Sequence, residues 1–396
     1  MNNEVDVSRL TFEQTEKIRG YLGKLVAAGG SDLHVKSNSA IRARINGHIV
    51  PFSGSIYSYD DAMTLTKEML RGRFGELVEK KEVDLVYQYD DKTRFRVNIF
   101  FQTDGPSLVF RAIPMSIPTI DSMGYPDAIK EFTKENRGLV LVTGITGSGK
   151  STTLAAMINE INMKTQKHII TIEDPIEFVH KDKSCIVNQR SVGQDTLSFQ
   201  RALRAALRED PDIILVGEMR DRETMELALS AADTGHLVIS TLHTIDAKET
   251  INRIISTFPS NEQNRIRLAL SSALRGVISQ RLIPTVDGKR VAAFEILVKT
   301  PLISTLILEN RDHEIKDAIE KGGEIYGSQT FDQHIFEIYQ QGIISKEKAR
   351  DYATSPTDMD LKMSGLNTTK KRESSAAELK KELAPIEEAD VFDLKK

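Results

Sequence analysis

The chain holds a single cysteine, Cys185, in 396 residues. One thiol excludes an internal disulfide and any cysteine-built zinc site, and it suits a reducing compartment. No apolar run approaches the ~18–20 residues of a membrane span, so any membrane role is expected to be peripheral. Met1 to Glu16 is polar and acidic, without the apolar core of a secretory signal, which points to the cytoplasm. Positive charge is not in excess either: 53 Lys and Arg stand against 57 Asp and Glu, a formal net charge of −4. With no interleaving of aromatic and basic residues, an obligate nucleic-acid binder is disfavoured, although a local basic patch is not. No internal repeat is visible. What is present is an ordinary globular composition, 40% hydrophobic and 28% charged, long enough for two or three domains.

The hydrophobic pattern divides the chain. Phe12 to Ala28 has helical spacing and stops at Gly29-Gly30. Short strands follow at Asp32–Val35, Ile41–Ile45 and His48–Val50, the last pair joined by Asn46-Gly47, a strong hairpin signal. A helix over Tyr59–Leu70 and strands at Val83–Tyr89, Phe95–Phe101 and Ser107–Ile113, with a turn at Asp90-Asp91, complete a small α+β domain over 1–113. Pro114, Pro118 and Pro126 mark 114–137 as a linker, because proline continues neither ladder.

From 138 to 300 near-continuous apolar strands alternate with helices, the signature of a parallel sheet covered on both faces. The strands are Leu139–Thr143, His168–Glu173, Ile213–Gly217 and Leu237–Leu242, with Arg275–Ile283 and Val291–Leu297 expected at an edge. Residues 301–365 turn helical, with Ser355-Pro356 expected to end the packed part; 366–396 is a charged tail expected to be disordered.

The first of the apolar strands, Leu139–Thr143, runs into Gly144-Ile145-Thr146-Gly147-Ser148-Gly149-Lys150-Ser151, a match to the phosphate-binding loop G-x-x-x-x-G-K-[ST]. The chemistry needs this layout. A buried strand aims the loop, glycines let backbone N–H groups turn inward, and the following helix presents its positive end to the same anion. Gly144, Thr146, Gly147, Ser148, Gly149, Lys150, Ser151 and Thr152 therefore form the expected ATP-binding set, with Lys150 on the β/γ-phosphates and Ser151 on Mg²⁺. Glu218 ends the apolar strand Ile213–Val216 and is the candidate to orient and deprotonate the attacking water. Glu177, in Glu173-Asp174-Pro175-Ile176-Glu177, follows a second strand end, where carboxylates order metal or water.

His236 and His243 flank Leu237–Leu242; an odd spacing sends them to opposite faces of a regular strand, with His243 at the carboxyl end. Arg201, Arg204 and Arg208 share one helix face, which is either a subunit interface or a solvated surface. Arg96 and Arg111, in strands of the small domain, are candidates to reach nucleotide from there.

These blocks stand in the order loop, Ile172–Phe178, Ile213–Asp221 and Gly235–Thr244, preceded by Ser31-Asp32-Leu33-His34 and Arg94-Phe95-Arg96-Val97-Asn98. Over about residues 20–363 the chain resembles the secretion-superfamily ATPases, and within them the type IV pilus retraction (twitching motility) ATPases PilT and PilU. The resemblance implies a PAS-like N-terminal domain, a RecA-like ATPase core and a C-terminal helical segment. It implies a hexameric ring of this chain, alone or with a paralogous ATPase, that hydrolyses ATP with Mg²⁺ and works on an inner-membrane platform protein of the pilus machine. It makes Glu218 the catalytic glutamate and Glu177 the acidic-box glutamate. His243 and His236 become the histidine-box pair, and Arg96 and Arg111 contacts to nucleotide.

Three departures refine it, one being that Phe100–Leu108 lacks a basic residue often found in that loop. The paired C-x-x-C motifs of the extension and secretion branches are missing. So is the Ala-Ile-Arg helix motif of PilT, since Thr300-Pro301-Leu302-Ile303-Ser304-Thr305-Leu306-Ile307 lacks the arginine. Gln329–Gln333 and Ser355–Met363 look closer to PilU. The rival readings are an accessory or regulatory ATPase beside a main motor, and a secretion or DNA-uptake ATPase on the same fold.

Overall fold

The computed structural model describes residues 7, 10–45, 47–90, 93–114 and 117–365. Asn46 of the expected hairpin, Asp91 of the expected turn and the 366–396 tail lie outside the described residues. The chain divides into two units, one of 1–117 with 177–179 and the other of 118–176 with 180–396.

The first unit is an antiparallel six-stranded sheet in the order β3-β2-β1-β6-β5-β4. Its strands are β1 (Asp32–Lys36), β2 (Ser39–Ile45), β3 (His48–Tyr57), β4 (Glu82–Gln88), β5 (Thr93–Gln102) and β6 (Gly105–Pro114). Strand alternation turns Leu33, Val35, Phe95, Val97, Ile99, Leu108 and Phe110 into the core. The helices Glu13–Ala27 and Tyr59–Leu70 meet them with Ile18, Leu22, Leu25, Ala62 and Leu65. Ser58 caps the second helix by accepting from the Asp61 N–H. A short helix, Phe74–Lys80, was not foreseen: it buries only Leu77 and so leaves no periodic stripe to read.

The second unit is a seven-stranded sheet in the order β13-β12-β7-β11-β10-β8-β9. The strands are β7 (Gly138–Thr143), β8 (His168–Glu173), β9 (Ile186–Ser191), β10 (Ile213–Val216), β11 (Leu237–Leu242), β12 (Leu274–Pro284) and β13 (Arg290–Val298). All neighbours are parallel except β12 and β13. Successive residues feed two cores. Leu139 and Leu141 join one that includes the helices Arg222–Asp233 and Gln263–Ala273. Val140 and Val142 join the other, with the helix Lys150–Lys164 and Ile129 and Phe132 of the helix Asp127–Phe132. That last helix lies within the stretch read as a linker.

One further expectation meets a different outcome, and one strand was not foreseen. The pair β12–β13 extends the sheet at one edge as expected; β13 is outermost, and β12 lies inside it against β7. Its run Leu274–Ile283 is apolar enough to be covered on both sides, as a central parallel strand must be. β9 went unread because Ile186-Val187-Asn188-Gln189-Arg190 is half polar, as an edge allows. Ser355-Pro356 does not end the packed part. Proline's fixed φ suits the first turn of a helix, so Pro356–Met363 is helical, and Met359 is fully buried with Ile335, Ile338 and Ala349. Met359→Ala should lower the unfolding free energy by about 2–5 kcal/mol, read as a lower urea midpoint.

Candidate nucleotide site

Strand β7 is buried at every residue, and its partners fix what surrounds its end. Thr143 lies opposite Leu242 of β11 and Ser279 of β12. One residue further, Gly144, His243 and Gln280 therefore share the carboxyl edge of the sheet. The loop bends there with Gly144, Gly147 and Gly149 at φ of 144°, 79° and 92°, a region that β-carbons disfavour. Gly149 precedes the helix Lys150–Lys164, and no side chain caps that helix. Its first N–H groups, with the helix dipole, favour an anion. Lys150 Nζ donates to the carbonyls of Gly144 at 2.7 Å and Ile145 at 3.0 Å, folding its charge back over the loop. Ser148 is buried, Ser151 and Thr152 half-buried, and Thr146 exposed at the loop's crest.

Glu218 comes to the same edge from β10. The Thr241 hydroxyl donates to the Gly217 carbonyl at 2.6 Å, and the Met219 N–H donates to the Thr241 carbonyl at 3.1 Å, which pins the segment to β11. The Glu218 side chain is 13% exposed; one carboxylate oxygen faces Arg220 at 2.5 Å and the other His243 Nε2 at 3.5 Å. Glu218 and His243 are thus brought together. His236, at the other end of β11, is held by the Ala231 carbonyl at 3.0 Å from Nδ1.

Glu173, ending β8, accepts from the Thr171 hydroxyl at 2.6 Å and from Gln189 at 3.1 Å. Glu177 is exposed in the following loop and groups with the first unit. Arg204 pairs with Glu223 of the next helix at 2.7 Å, and Arg208 donates to the Arg204 carbonyl at 3.0 Å, so both are engaged within the chain.

In the first unit Arg96 of β5 and Arg111 of β6 are direct cross-strand partners. Like charges so placed repel, and two carboxylates offset this. Asp32 Oδ1 accepts from Arg111 Nε at 2.8 Å, and Asp84 Oδ1 accepts from Arg96 Nε at 3.4 Å. Burial pushes the Asp32 carboxyl up, but hydrogen bonds from Arg111 and Ser31 outweigh it and hold the carboxyl below its ordinary range.

The Type II/IV secretion system protein family matches residues 15–381. The chain is 46% identical over 329 residues to the type IV pilus retraction ATPase PilT of Pseudomonas aeruginosa, covering 83% of this chain and 95% of that one. It is 40% identical over 343 residues to the type IV pilus ATPase PilU of the same organism, covering 85% and 88%. The crystal structure of the pilus retraction motor PilT with bound ADP superposes with a TM-score of 0.81 at 43% identity, covering 86% and 98%. The chain belongs to the PilT/PilU secretion ATPases. The α/β fold expected for that family, an ATPase core with an N-terminal domain and C-terminal helices, is the fold found.

Three residues of this PilT/PilU ATPase escaped the sequence reading. Arg220 sits two positions after Glu218, a spacing that could have flagged it. Gln280 had no signal, because its neighbourhood exists only through the pairing of β12 with β7. Glu295 of β13 is 5% exposed and accepts from the Ala247 N–H at 2.9 Å, holding the helix that follows His243.

Burial pushes the Glu295 carboxyl up to about 7 from 4.5, aided by Asp246 and opposed by the Ala247 N–H and by Arg281. The folded state thus binds this proton more tightly than the unfolded one. Its stabilising contribution is complete below about pH 4.5 and is lost as pH rises through about 7. Glu295→Gln should therefore flatten the loss of stability between about pH 5 and about pH 8, measured by urea unfolding at both.

Proposed function

We propose that this ATPase is a motor that couples ATP hydrolysis to retraction of type IV pili, and hence to twitching motility. It would act as a hexameric ring at the cytoplasmic face of the inner membrane, against a platform protein of the pilus machine. One observation carries the chemical half: Glu218, largely buried, projects from the same sheet edge as the phosphate loop and is gripped by His243 and Arg220. A carboxylate fixed in that way keeps the orientation a general base needs. The similarity to PilT carries the mechanical half.

In this reading Lys150 leaves the Gly144 and Ile145 carbonyls for the β/γ-phosphates, while Gly144 to Gly149 and Thr152 wrap the phosphates with backbone and hydroxyl donors. Ser151 offers a hard hydroxyl oxygen beside the helix start, the donor type that Mg²⁺ takes, and would hold that ion. Glu218 accepts the proton of the attacking water, and His243 steadies the glutamate. Glu177 is the second carboxylate of the site. Arg96 and Arg111, each tethered through Nε with terminal nitrogens to spare, supply positive charge to the phosphates from the N-terminal domain. His236, Arg204 and Arg208 have structural or coupling roles.

A second reading, an accessory PilU-like motor, draws on the missing helix arginine at 300–307 and on the segments near Gln329 and Ser355. The higher identity to PilT, 46% against 40%, favours the main motor.

Glu218→Gln should lower the ATPase rate roughly 10²–10⁴-fold while ADP still binds, and Lys150→Ala should weaken binding itself; an unchanged turnover in Glu218→Gln removes Glu218 from catalysis. In cells, loss of the gene should leave pili that accumulate and do not retract. Loss of pili would instead mark an extension motor.

A further inference from the structure

Gln280 is 1% exposed and lies beneath the phosphate loop, beside both of its end glycines. A β-carbon on Gly144 would meet the Gln280 carbonyl oxygen at 2.5 Å, and one on Gly149 would meet Gln280 Nε2 at 2.8 Å. The side-chain Oε1 accepts from the Thr153 hydroxyl at 2.7 Å, in the first turn of the helix that the loop enters. Nε2 has no hydrogen-bond partner. The Tyr125 hydroxyl is the polar group beside this amide: burial pushes the phenol up, and the amide partly offsets it. The Ser148 hydroxyl, 3% exposed and 2.5 Å from the same β-carbon position on Gly144, is also unpartnered. Buried polar groups are ordinarily hydrogen-bonded, and leaving one unmade destabilises the fold. Two such groups under one loop call for a compensating use.

We propose that Gln280 is a positioning residue for phosphate binding. Its oxygen end ties the loop's helix to β12 through Thr153. Its amino end, the positive end of the amide dipole, stands behind Gly149 and favours negative charge on the far side of the loop. Preoriented dipoles of this kind stabilise an anion without reorganising when it arrives. The inference rests on the reading of Gly144–Ser151 as the nucleotide site.

The test is ADP affinity of the full-length protein with Mg²⁺, by calorimetry, with urea unfolding of each variant alongside. Gln280→Met keeps the volume and removes the dipole; it should weaken ADP binding ~10-fold, the scale of one lost polar interaction. Gln280→Glu places a carboxylate where the amino group was. It should weaken binding ~100-fold or more near pH 8 and recover as pH falls and the carboxyl takes up a proton. A merely structural role would not produce that pH dependence. Thr153→Val should move affinity in the same direction as Gln280→Met, and Thr153→Ser should restore it; these two carry the test if Gln280→Glu does not fold. If Gln280→Met and Thr153→Val bind ADP within twofold of wild type while Lys150→Ala is weakened, the positioning role is overturned alone. If Lys150→Ala binds ADP as wild type does, the site reading fails and takes the inference with it.

Discussion

A β-carbon at Gly144 or Gly149, the two ends of the loop between β7 and the helix Lys150–Lys164, would meet Gln280 closer than 3.0 Å. Gly144 and Gly149 are each crowded by Gln280, and Gly144 also by Ser148, at distances no β-carbon tolerates. The crowding by Gln280 arises because β12 runs parallel to β7 and overtakes it by the residue that becomes Gln280. That pairing lets the chain turn inward at Gly144 and start a helix at Lys150 with its first N–H groups uncapped. The motif is usually credited to glycine's freedom of φ. Here steric exclusion by a neighbouring strand's backbone is an equal reason for glycine at 144.

The rest of the site follows from strand ends kept in register. Val216 lies opposite Ser240, and Leu242 opposite Thr143, so Glu218 and His243 reach the edge that holds the loop. Side-chain hydroxyls on β11 then lock this edge: Ser240 donates to the Val216 carbonyl at 2.7 Å and Thr241 to Gly217 at 2.6 Å. Polar residues in a fully buried strand would be a liability unless satisfied, and these two are satisfied by the strand that delivers Glu218. A similar economy holds in the first unit. Two facing arginines remain together because a carboxylate binds each through Nε.

Much of this was legible from residues alone. The four strands at Leu139, His168, Ile213 and Leu237 read clearly, because a parallel strand covered on both faces must be apolar throughout. The helix Tyr59–Leu70 carried both a cap and a periodic stripe. What failed to read lacked one or the other. β9 is half polar, Phe74–Lys80 buries one leucine, and Pro356 looks like a stop although proline serves equally to begin a helix. The departure from PilT at 300–307 and the PilU-like segments at Gln329–Gln333 and Ser355–Met363 were real features of the sequence, yet the whole-chain similarity leans to PilT.

The sequence by itself determined that a glycine-rich loop matching G-x-x-x-x-G-K-[ST] follows a buried strand, that acidic residues follow two other strands, and that the chain lies with the PilT/PilU ATPases. These are local matters, written in consecutive residues and their periods of two and 3.6. The tertiary structure alone decided who stands beside whom. Arg220 and His243 grip Glu218, Glu295 holds the helix after His243 from a strand forty-eight residues on, and Gln280 braces a loop more than one hundred and twenty residues before it. Strand order is set by burial of whole faces, not by neighbouring residues, so no local pattern carries it.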